Sequence, residues 1–418
     1  MEPFFYLKDD YSLPTCICLN LTDDCNLACK YCFVQQKPHY MTFEVAKDAV
    51  EFIMSNHKKK SELYADEELG KPNITFFGGE PTLMWDKIIV PLVKYIEEKY
   101  PNQIGLDMTT NGTLLNKEKI AFLKEHNIGI LLSMDGDRNT QNYNRPCKNG
   151  ESSFDLVNNN IPEILKNFPE TNFRSTIYQD TCDTLFETYL FAIKNGFRHI
   201  FFCPNAREKW TEENIDKLKE EIKKIFTYFT YSFMNNELPI QCSLIDDTFR
   251  KILKHDLQIH YDEYELLEPN RFPLRCGLGT TSASISYDGK IFSCQEQDSR
   301  DTSDFFYIGN IYDGIDYEKH KIILEEYTSA AITKCEDENF CNDCILRSIC
   351  VEDTCPSVSK DMFNNFFIKP KIDCIFSQEL FENAINAMNI LVNYEKSELF
   401  EDYLEKIYEN YKKDKIGG

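Results

Sequence analysis

Short runs of β-branched and aromatic residues alternate with longer amphipathic stretches from Thr15 to about Phe202. The pattern predicts strands over Thr15–Leu21, Asn73–Phe77, Ile104–Thr109, Ile128–Met134, Asn172–Ile177 and His199–Phe202. Helical patterns lie between them. In Thr42–Asn56, Phe43, Ala46, Val50 and Ile53 recur at near-helical spacing behind Thr42, a residue suited to cap a helix. Strands alternating with helices are the mark of repeated βα units around a parallel sheet, so the chain is expected to be α/β, with six units forming a partial, TIM-like (β/α)6 barrel. Lys58–Lys71 is polar and charged and reads as a surface excursion without chemistry.

A charged amphipathic helix is predicted from Glu212 to about Asn235, after which the βα rhythm stops. A different unit begins near Pro273. It carries Cys276, Cys294, Cys335, Cys341, Cys344, Cys350, Cys355 and Cys374, and a strand-turn-strand pattern over Ala283–Ser293 that turns at Tyr287-Asp288-Gly289-Lys290. Beyond Cys374 the chain reads as helical and acidic through Tyr411. The expected organisation is an N-terminal segment over 1–14, a barrel over 15–210, a helical bridge over 211–272, a cysteine-rich domain over 273–376 and a helical tail over 377–418.

Composition changes this picture in two ways. A chain of 418 residues buries roughly three quarters of its extended surface and needs no covalent staples. Met1–Asp10 is mixed and charged rather than a signal peptide, and no apolar run is long enough to span a bilayer, so the chain is expected in the cytoplasm with no membrane partner. Its 17 cysteines then sit where thiols stay reduced, and closely spaced ones hold metal more often than each other. A net charge of -23 excludes nucleic acid as the main partner and serves solubility.

Cys25, Cys29 and Cys32 follow the first predicted strand as C-x3-C-x2-C, at the carboxyl end of the sheet, where α/β folds place their active sites. Three thiolates leave one iron of a four-iron cluster free to bind a small molecule. The alternatives are a zinc site completed by His39 or His57, or buried free thiols.

This spacing, with Tyr31 just ahead of the third cysteine, resembles the radical S-adenosylmethionine superfamily. Phe77-Gly78-Gly79-Glu80-Pro81 looks like its GGE motif; bare glycine backbone admits the methionyl amino group and Glu80 answers its charge. Thr109-Thr110-Asn111-Gly112 and Ser133-Met134-Asp135-Gly136 resemble its cofactor-facing loops, so the resemblance implies Thr110, Asn111, Ser133 and Asp135 as cofactor contacts. Arg145 suits the methionyl carboxylate. The chemistry implied is reductive cleavage of the sulfonium bond to a 5'-deoxyadenosyl radical, for which the protein binds, orients and excludes water.

Cys341-x2-Cys344-x5-Cys350-x4-Cys355, then Cys374, resembles the SPASM extension, and Cys276 and Cys294 match its opening half. A zinc ribbon is the alternative for Cys341–Cys355 alone. The resemblance implies three [4Fe-4S] clusters in all. Cys341, Cys344, Cys350 and Cys374 would ligate one auxiliary cluster fully. Cys355 would join Cys276 and Cys294 on the other, which has three evident ligands and either an open iron or a fourth ligand in Cys335. Cys16, Cys18, Cys147, Cys182, Cys203 and Cys242 show no spacing logic and read as small buried hydrophobes.

SPASM proteins mostly modify peptides or protein side chains. The sulfatase-maturing subgroup places an Asp directly after the second cysteine of the first auxiliary cluster, where this chain has Gln295. Gly279–Ala283, Ser293–Glu296 and Phe306–Ile311 look like maturases of cysteine-repeat (ranthipeptide-type) ribosomal peptides. The expected reaction joins a substrate cysteine, held deprotonated on the open iron, to carbon as a thioether. His39, His126 and His199 are then ordinary polar residues, and no general base is assigned. Carbon–carbon crosslinking, epimerisation, sulfatase maturation and a non-catalytic electron carrier are the rivals. Expected partners are a precursor peptide and a flavodoxin- or ferredoxin-type electron donor. Only 24 residues precede Cys25, too few for an N-terminal winged-helix leader-binding module, so leader recognition is assigned to the barrel, the tail or a separate protein.

Overall fold

The computed structural model describes residues 13–63, 69–235, 237, 241–256, 276–298, 304–328, 334–347, 355–394 and 397–416. In chain order its elements are β1 (Cys16–Asn20), α1 (Phe43–Leu63), β2 (Asn73–Phe77), α2 (Val90–Lys99), β3 (Gly105–Thr110), α3 (Lys117–Glu125), β4 (Ile128–Ser133), α4 (Arg138–Asn144), α5 (Ser153–Asn158) and α6 (Ile161–Asn167). They continue as β5 (Asn172–Ile177), α7 (Leu185–Lys194), β6 (His199–Pro204), α8 (Glu212–Met234), β7 (Gln241–Cys242), α9 (Ser243–Asp256), β8 (Ser282–Ile285), β9 (Lys290–Phe292), β10 (Tyr307–Asn310) and β11 (Gly314–Ile315). The last are α10 (Tyr317–Thr328), β12 (Lys334–Cys335), α11 (Glu338–Asn342), α12 (Pro356–Phe363), β13 (Ile368–Lys369), α13 (Lys371–Val392) and α14 (Ser397–Ile416). The fold is mixed α/β with parallel strands carrying helices between them, as the sequence pattern predicts.

The chain divides into two compact units. One takes in Met1–Ser133, Arg145–Phe168 and Phe272–Ala331; the other takes in Met134–Asn144, Pro169–Arg271 and Ile332–Gly418. In the first, β1 to β4 run parallel, with Ile17 opposite Ile74, Ile74 opposite Leu106 and Leu106 opposite Ile128. The other edge of β1 takes β8, also parallel, pairing Cys16 with Ser282, and β8 leads into an antiparallel meander through β9, β10 and β11. Alternation along β1 sorts its side chains: Ile17 and Leu19 are fully buried on one face, while Cys16, Cys18 and Asn20 share the other. Helix α1 buries Ala46, Ala49, Val50 and Ile53, one apolar stripe at helical spacing.

In the second unit β5, β6 and β7 are parallel, and helices α8, α9 and α14 enclose a nest of aromatic rings. Phe233 meets Phe229 at 5.0 Å and Phe400 at 5.5 Å between ring centres, and Phe249 meets Phe400 at 5.7 Å. Tyr403 of α14 donates to Asp246 of α9. A separate two-stranded ladder pairs β12 with β13.

Two features depart from the pattern read in the sequence. Helix α1 runs on to Leu63 through the polar stretch beyond Asn56, where Lys58 reaches Glu62 at 3.9 Å. The βα rhythm continues past residue 235 with β7, two residues long, and α9. Thr42 does cap α1, its hydroxyl accepting from the Val45 amide at 3.3 Å. The six strands expected before residue 210 match their positions to within one or two residues at their ends, and β8 and β9 form the expected hairpin, whereas β10 to β13 were not expected.

Candidate active site at the strand ends

The loop that leaves β1 is fastened before it reaches its first cysteine. The Leu21 amide donates to the Phe77 carbonyl and the Met41 amide to the Leu21 carbonyl, at 3.0 and 2.9 Å. The Thr22 hydroxyl donates to the His39 carbonyl at 2.6 Å and accepts from the Asp24 amide at 3.0 Å. Further on, the Ala28 amide donates to the Pro146 carbonyl at 2.8 Å and the Lys148 amide to the Asn26 carbonyl at 3.0 Å. Cys25, Leu27 and Cys147 are buried together there, with Cys29 partly covered and Cys32 exposed. Burial pushes the Cys25 thiol up to about 12. Cys147, read as a plain buried thiol, packs directly behind this loop.

At the end of β2, Gly78 and Gly79 serve the loop's backbone. A Cβ on Gly78, whose φ is +126°, would stand 2.3 Å from the Thr22 carbonyl oxygen; one on Gly79 would stand 2.1 Å from that of Asp24. Both distances are below any real contact, and the Gly79 and Glu80 amides donate to those same carbonyls at 2.7 and 2.9 Å. Glu80 is 1% exposed. Its Oε1 accepts from the Thr82 amide and hydroxyl at 3.1 and 2.6 Å and from the Thr110 hydroxyl at 2.8 Å; its Oε2 accepts from the Asn111 amide at 2.9 Å. The carboxyl thus ties the end of β2 to the end of β3. Burial raises its pKa, against the pull of these donors.

Asn111 carries the chain of bonds to the cysteine loop. Its Nδ2 donates to Asn26 Oδ1 at 3.0 Å and approaches Cys25 Sγ at 3.8 Å, while Asn26 Nδ2 donates to the Thr113 hydroxyl at 2.8 Å. Asn26 and Thr113 were not singled out in the sequence; neither carries a spacing signal. Arg145, 7% exposed, lies over the Tyr31 ring with its guanidinium carbon 5.3 Å from the ring centre. Ser133 ends β4 in this unit. Asp135 belongs to the second unit, where its amide donates to Gln141 Oε1 at 2.8 Å and its Oδ1 accepts from the Thr176 amide at 3.1 Å.

The other cysteines divide between the units. The register of β8 on β9, Ser284 opposite Phe292, carries Cys294 back to the end of the hairpin at which Cys276 enters. The chain beyond Cys294 then runs beside β1: Cys18 Sγ donates to Gln295 Oε1 at 3.5 Å, and Asn20 Nδ2 donates to Asp298 Oδ1 at 3.2 Å. The Asp298 carboxyl also accepts from the Ser284 hydroxyl, and its low-dielectric surroundings push it up to about 7. Cys18, read as packing, is therefore part of a polar strip. In the second unit Cys335 and Cys374 are buried and hydrogen-bonded to each other, and Cys344 Sγ accepts from Gln378 Nε2 at 3.0 Å. Cys355 caps α12, and Cys350 lies outside the described residues.

Among the described residues no three His, Cys, Asp or Glu side chains stand close enough to share one metal ion. His39, the nearest alternative zinc ligand, bonds Asp23 at 3.0 Å and stacks on Tyr287 at 4.4 Å. No helix among the described residues is long and apolar enough to cross a membrane.

The radical SAM superfamily model matches residues 19–192, from within β1 to within α7. The chain is 24% identical over 314 residues to the cysteine-type anaerobic sulfatase-maturating enzyme of Clostridium perfringens, covering 69% of this chain and 75% of that one. Its fold is shared with native anSMEcpe with bound AdoMet and Cp18Cys peptide (TM-score 0.66, 21% identity, 91% of this chain and 99% of that one). It is shared also with Streptococcus suis SuiB bound to precursor peptide SuiA (TM-score 0.56, 16% identity, 87% and 76%). Three cysteines, a GGE turn and an Asn-bearing loop on successive strand ends all lie within residues 19–192, the part of the chain that matches the radical SAM superfamily model.

Proposed function

We propose that the chain modifies a peptide, and that the modification is a thioether between a cysteine sulfur and a carbon of another residue. The observation that carries this reading is the polar strip from Cys294 along Cys18 and Asn20 of β1, which leads from one thiol set toward the loop bearing the other. A cluster on Cys25, Cys29 and Cys32, with S-adenosylmethionine, supplies reductive cleavage of the cofactor and so a means of removing a hydrogen atom from carbon. The protein's part is to hold and orient. Glu80 fixes Thr110 and Asn111 against the loop, and Arg145 offers a guanidinium to the methionyl carboxylate. Cys276 and Cys294 would serve a cluster with an open iron for the substrate thiol, and Cys341, Cys344, Cys350 and Cys374 would hold a closed one. Peptide complexes among the fold neighbours support a peptide substrate.

Sulfatase maturation is the second reading, favoured by the Clostridium perfringens relative. No Asp follows Cys294 directly, yet Asp298 brings a carboxylate onto the same strip.

An anaerobic reaction of the iron-loaded chain with reductant, S-adenosylmethionine and a cysteine-repeat peptide, followed by mass spectrometry and thiol alkylation, separates the two. Loss of two hydrogens per crosslink with thiols that no longer alkylate supports the thioether. An uncrosslinked product oxidised at one cysteine supports the second reading. Cleavage of the cofactor with all thiols intact sinks both, and Cys25→Ala, which should abolish cleavage, is the control.

A further inference from the structure

The parallel strands of the first unit do not treat their two faces alike. One face is apolar and buried, with Ile17, Ile74, Leu106 and Ile128 side by side across β1 to β4. The opposite face carries Cys18, Thr75, Asp107 and Gly129 in a row, and Ser284 of β8 lies beyond Cys18. Cys18, Thr75 and Gly129 are half-buried, and Asp107 is exposed. A parallel sheet is ordinarily covered on both faces, and a barrel interior is ordinarily filled by bulky branched side chains. Here the row is small and polar, with a carboxylate in its middle. Such a face calls for a ligand that covers it.

Asp107 is held from one side and open on the other. Asn73 Nδ2 donates to its Oδ2 at 3.0 Å. Two glycines on the neighbouring strands make room for this pair: a Cβ on Gly105 would stand 2.5 Å from Asn73 Oδ1, and one on Gly129 would stand 2.2 Å from Asp107 Oδ1. The second oxygen therefore lies over bare backbone of β4. Among the described residues Asp107 has no Lys, Arg or His partner. Two positions nearer the strand ends on the same face, Thr109 pairs with Leu131, both half-buried. A carboxylate below a leucine suits a side chain with an aliphatic stem and a cationic tip. With one oxygen already taken by Asn73, a compact ammonium fits better than the two-pronged guanidinium of arginine. We propose that Asp107 is a specificity residue that binds the ammonium of a lysine in the peptide substrate. The inference rests on the peptide reading above and adds a substrate feature to it. Asp107 lies three residues along β3 from Thr110, roughly 10 Å below the strand ends, so only a long side chain reaches it from there. The net charge of -23 favours approach of a basic peptide.

Two labelled cysteine-repeat peptides, identical except that lysine in one is norleucine in the other, test this by fluorescence anisotropy. The full-length, iron-loaded chain is used with S-adenosylmethionine under anaerobic conditions, so that binding is read apart from turnover. Wild-type protein should bind the lysine peptide about tenfold more tightly. Asp107→Asn should remove most of that preference and leave the affinity for the norleucine peptide unchanged, which also shows that the variant is folded. Gly129→Ala, which keeps the charge but displaces the carboxyl, should weaken the preference too, and an arginine peptide should bind less tightly than the lysine one. Equal binding of the lysine and norleucine peptides by wild type overturns the proposal while the peptide reading stands, and so does a preference undiminished in Asp107→Asn. Loss of affinity for both peptides alike in that variant makes Asp107 structural and overturns it as well. If neither peptide binds although the cofactor is still cleaved, the peptide reading falls, and this proposal with it.

Discussion

Cys25, Cys29 and Cys32 hang on a loop whose backbone is tied to β2, to Met41 and to residues 146–148, whereas Cys335, Cys341 and Cys344 ride on a strand of two residues, a helix of five and a turn. The first loop is assembled by bonds that exist without metal. The second set rests on elements too short to be stable alone, pinned mainly to one end of α13. One site is a scaffold that receives a cofactor. In the proposed function the other is a region whose order would be coupled to the metal it would hold, because binding energy at thiol sites is also folding energy.

Removing metal should expose this contrast most. After chelation, amide hydrogen exchange is expected to rise severalfold across residues 334–347 while β1 to β4 stay protected. Equal loss of protection in both would erase the comparison.

Next in size is Glu80. Glu80→Ala leaves the buried donors of Thr82, Thr110 and Asn111 without their acceptor, a cost of about 3 kcal/mol in unfolding free energy. Glu80→Gln should cost less, since one oxygen remains. A loss below about 1 kcal/mol for the alanine variant in denaturant titrations would show that the strand ends do not depend on this carboxyl.

Asp298 gives a smaller, pH-dependent effect. Its carboxyl is pushed from an ordinary value of 3.8 up to about 7, so the folded state favours the proton-bearing form. The stability this contributes is complete below the ordinary value and disappears as pH rises through about 7. Wild-type protein should therefore lose stability between those limits relative to Asp298→Asn, whose profile is flatter; parallel profiles would refute the assignment.

The smallest expected effect falls on Cys147, one of the six cysteines without spacing. Cys147→Ala should cost about 1 kcal/mol of packing and no iron, since Cys147 backs the first loop without joining its donor set. Loss of iron in that variant would make it a ligand.

The parallel strands were legible because β1 to β6 are short apolar or β-branched runs ended by turn residues, and because several end in a motif. The continuation of α1 was not, since Lys58–Leu63 is polar all round and offers no stripe to read. β7 is too short to carry a period. Within the site, the glycines of the GGE turn were visible, but what they admit is the carbonyls of Thr22 and Asp24, which only the folded register brings close. Asn26, Asp298 and the pairing of Cys335 with Cys374 depend on contacts across long stretches of chain. Spacing holds no record of them.

The parallel pairing of β1 with β8 has a consequence for synthesis. Ser284 of β8 donates to the Cys18 carbonyl across 266 positions of sequence. At roughly 5–20 residues per second, that edge of β1 waits on the ribosome for about 13–53 seconds before its neighbour exists. During that interval the strand leading to Cys25 has a bare edge. Translation thus sets how long that edge stays open, and a slow codon run ahead of β8 would lengthen the window without altering a single residue.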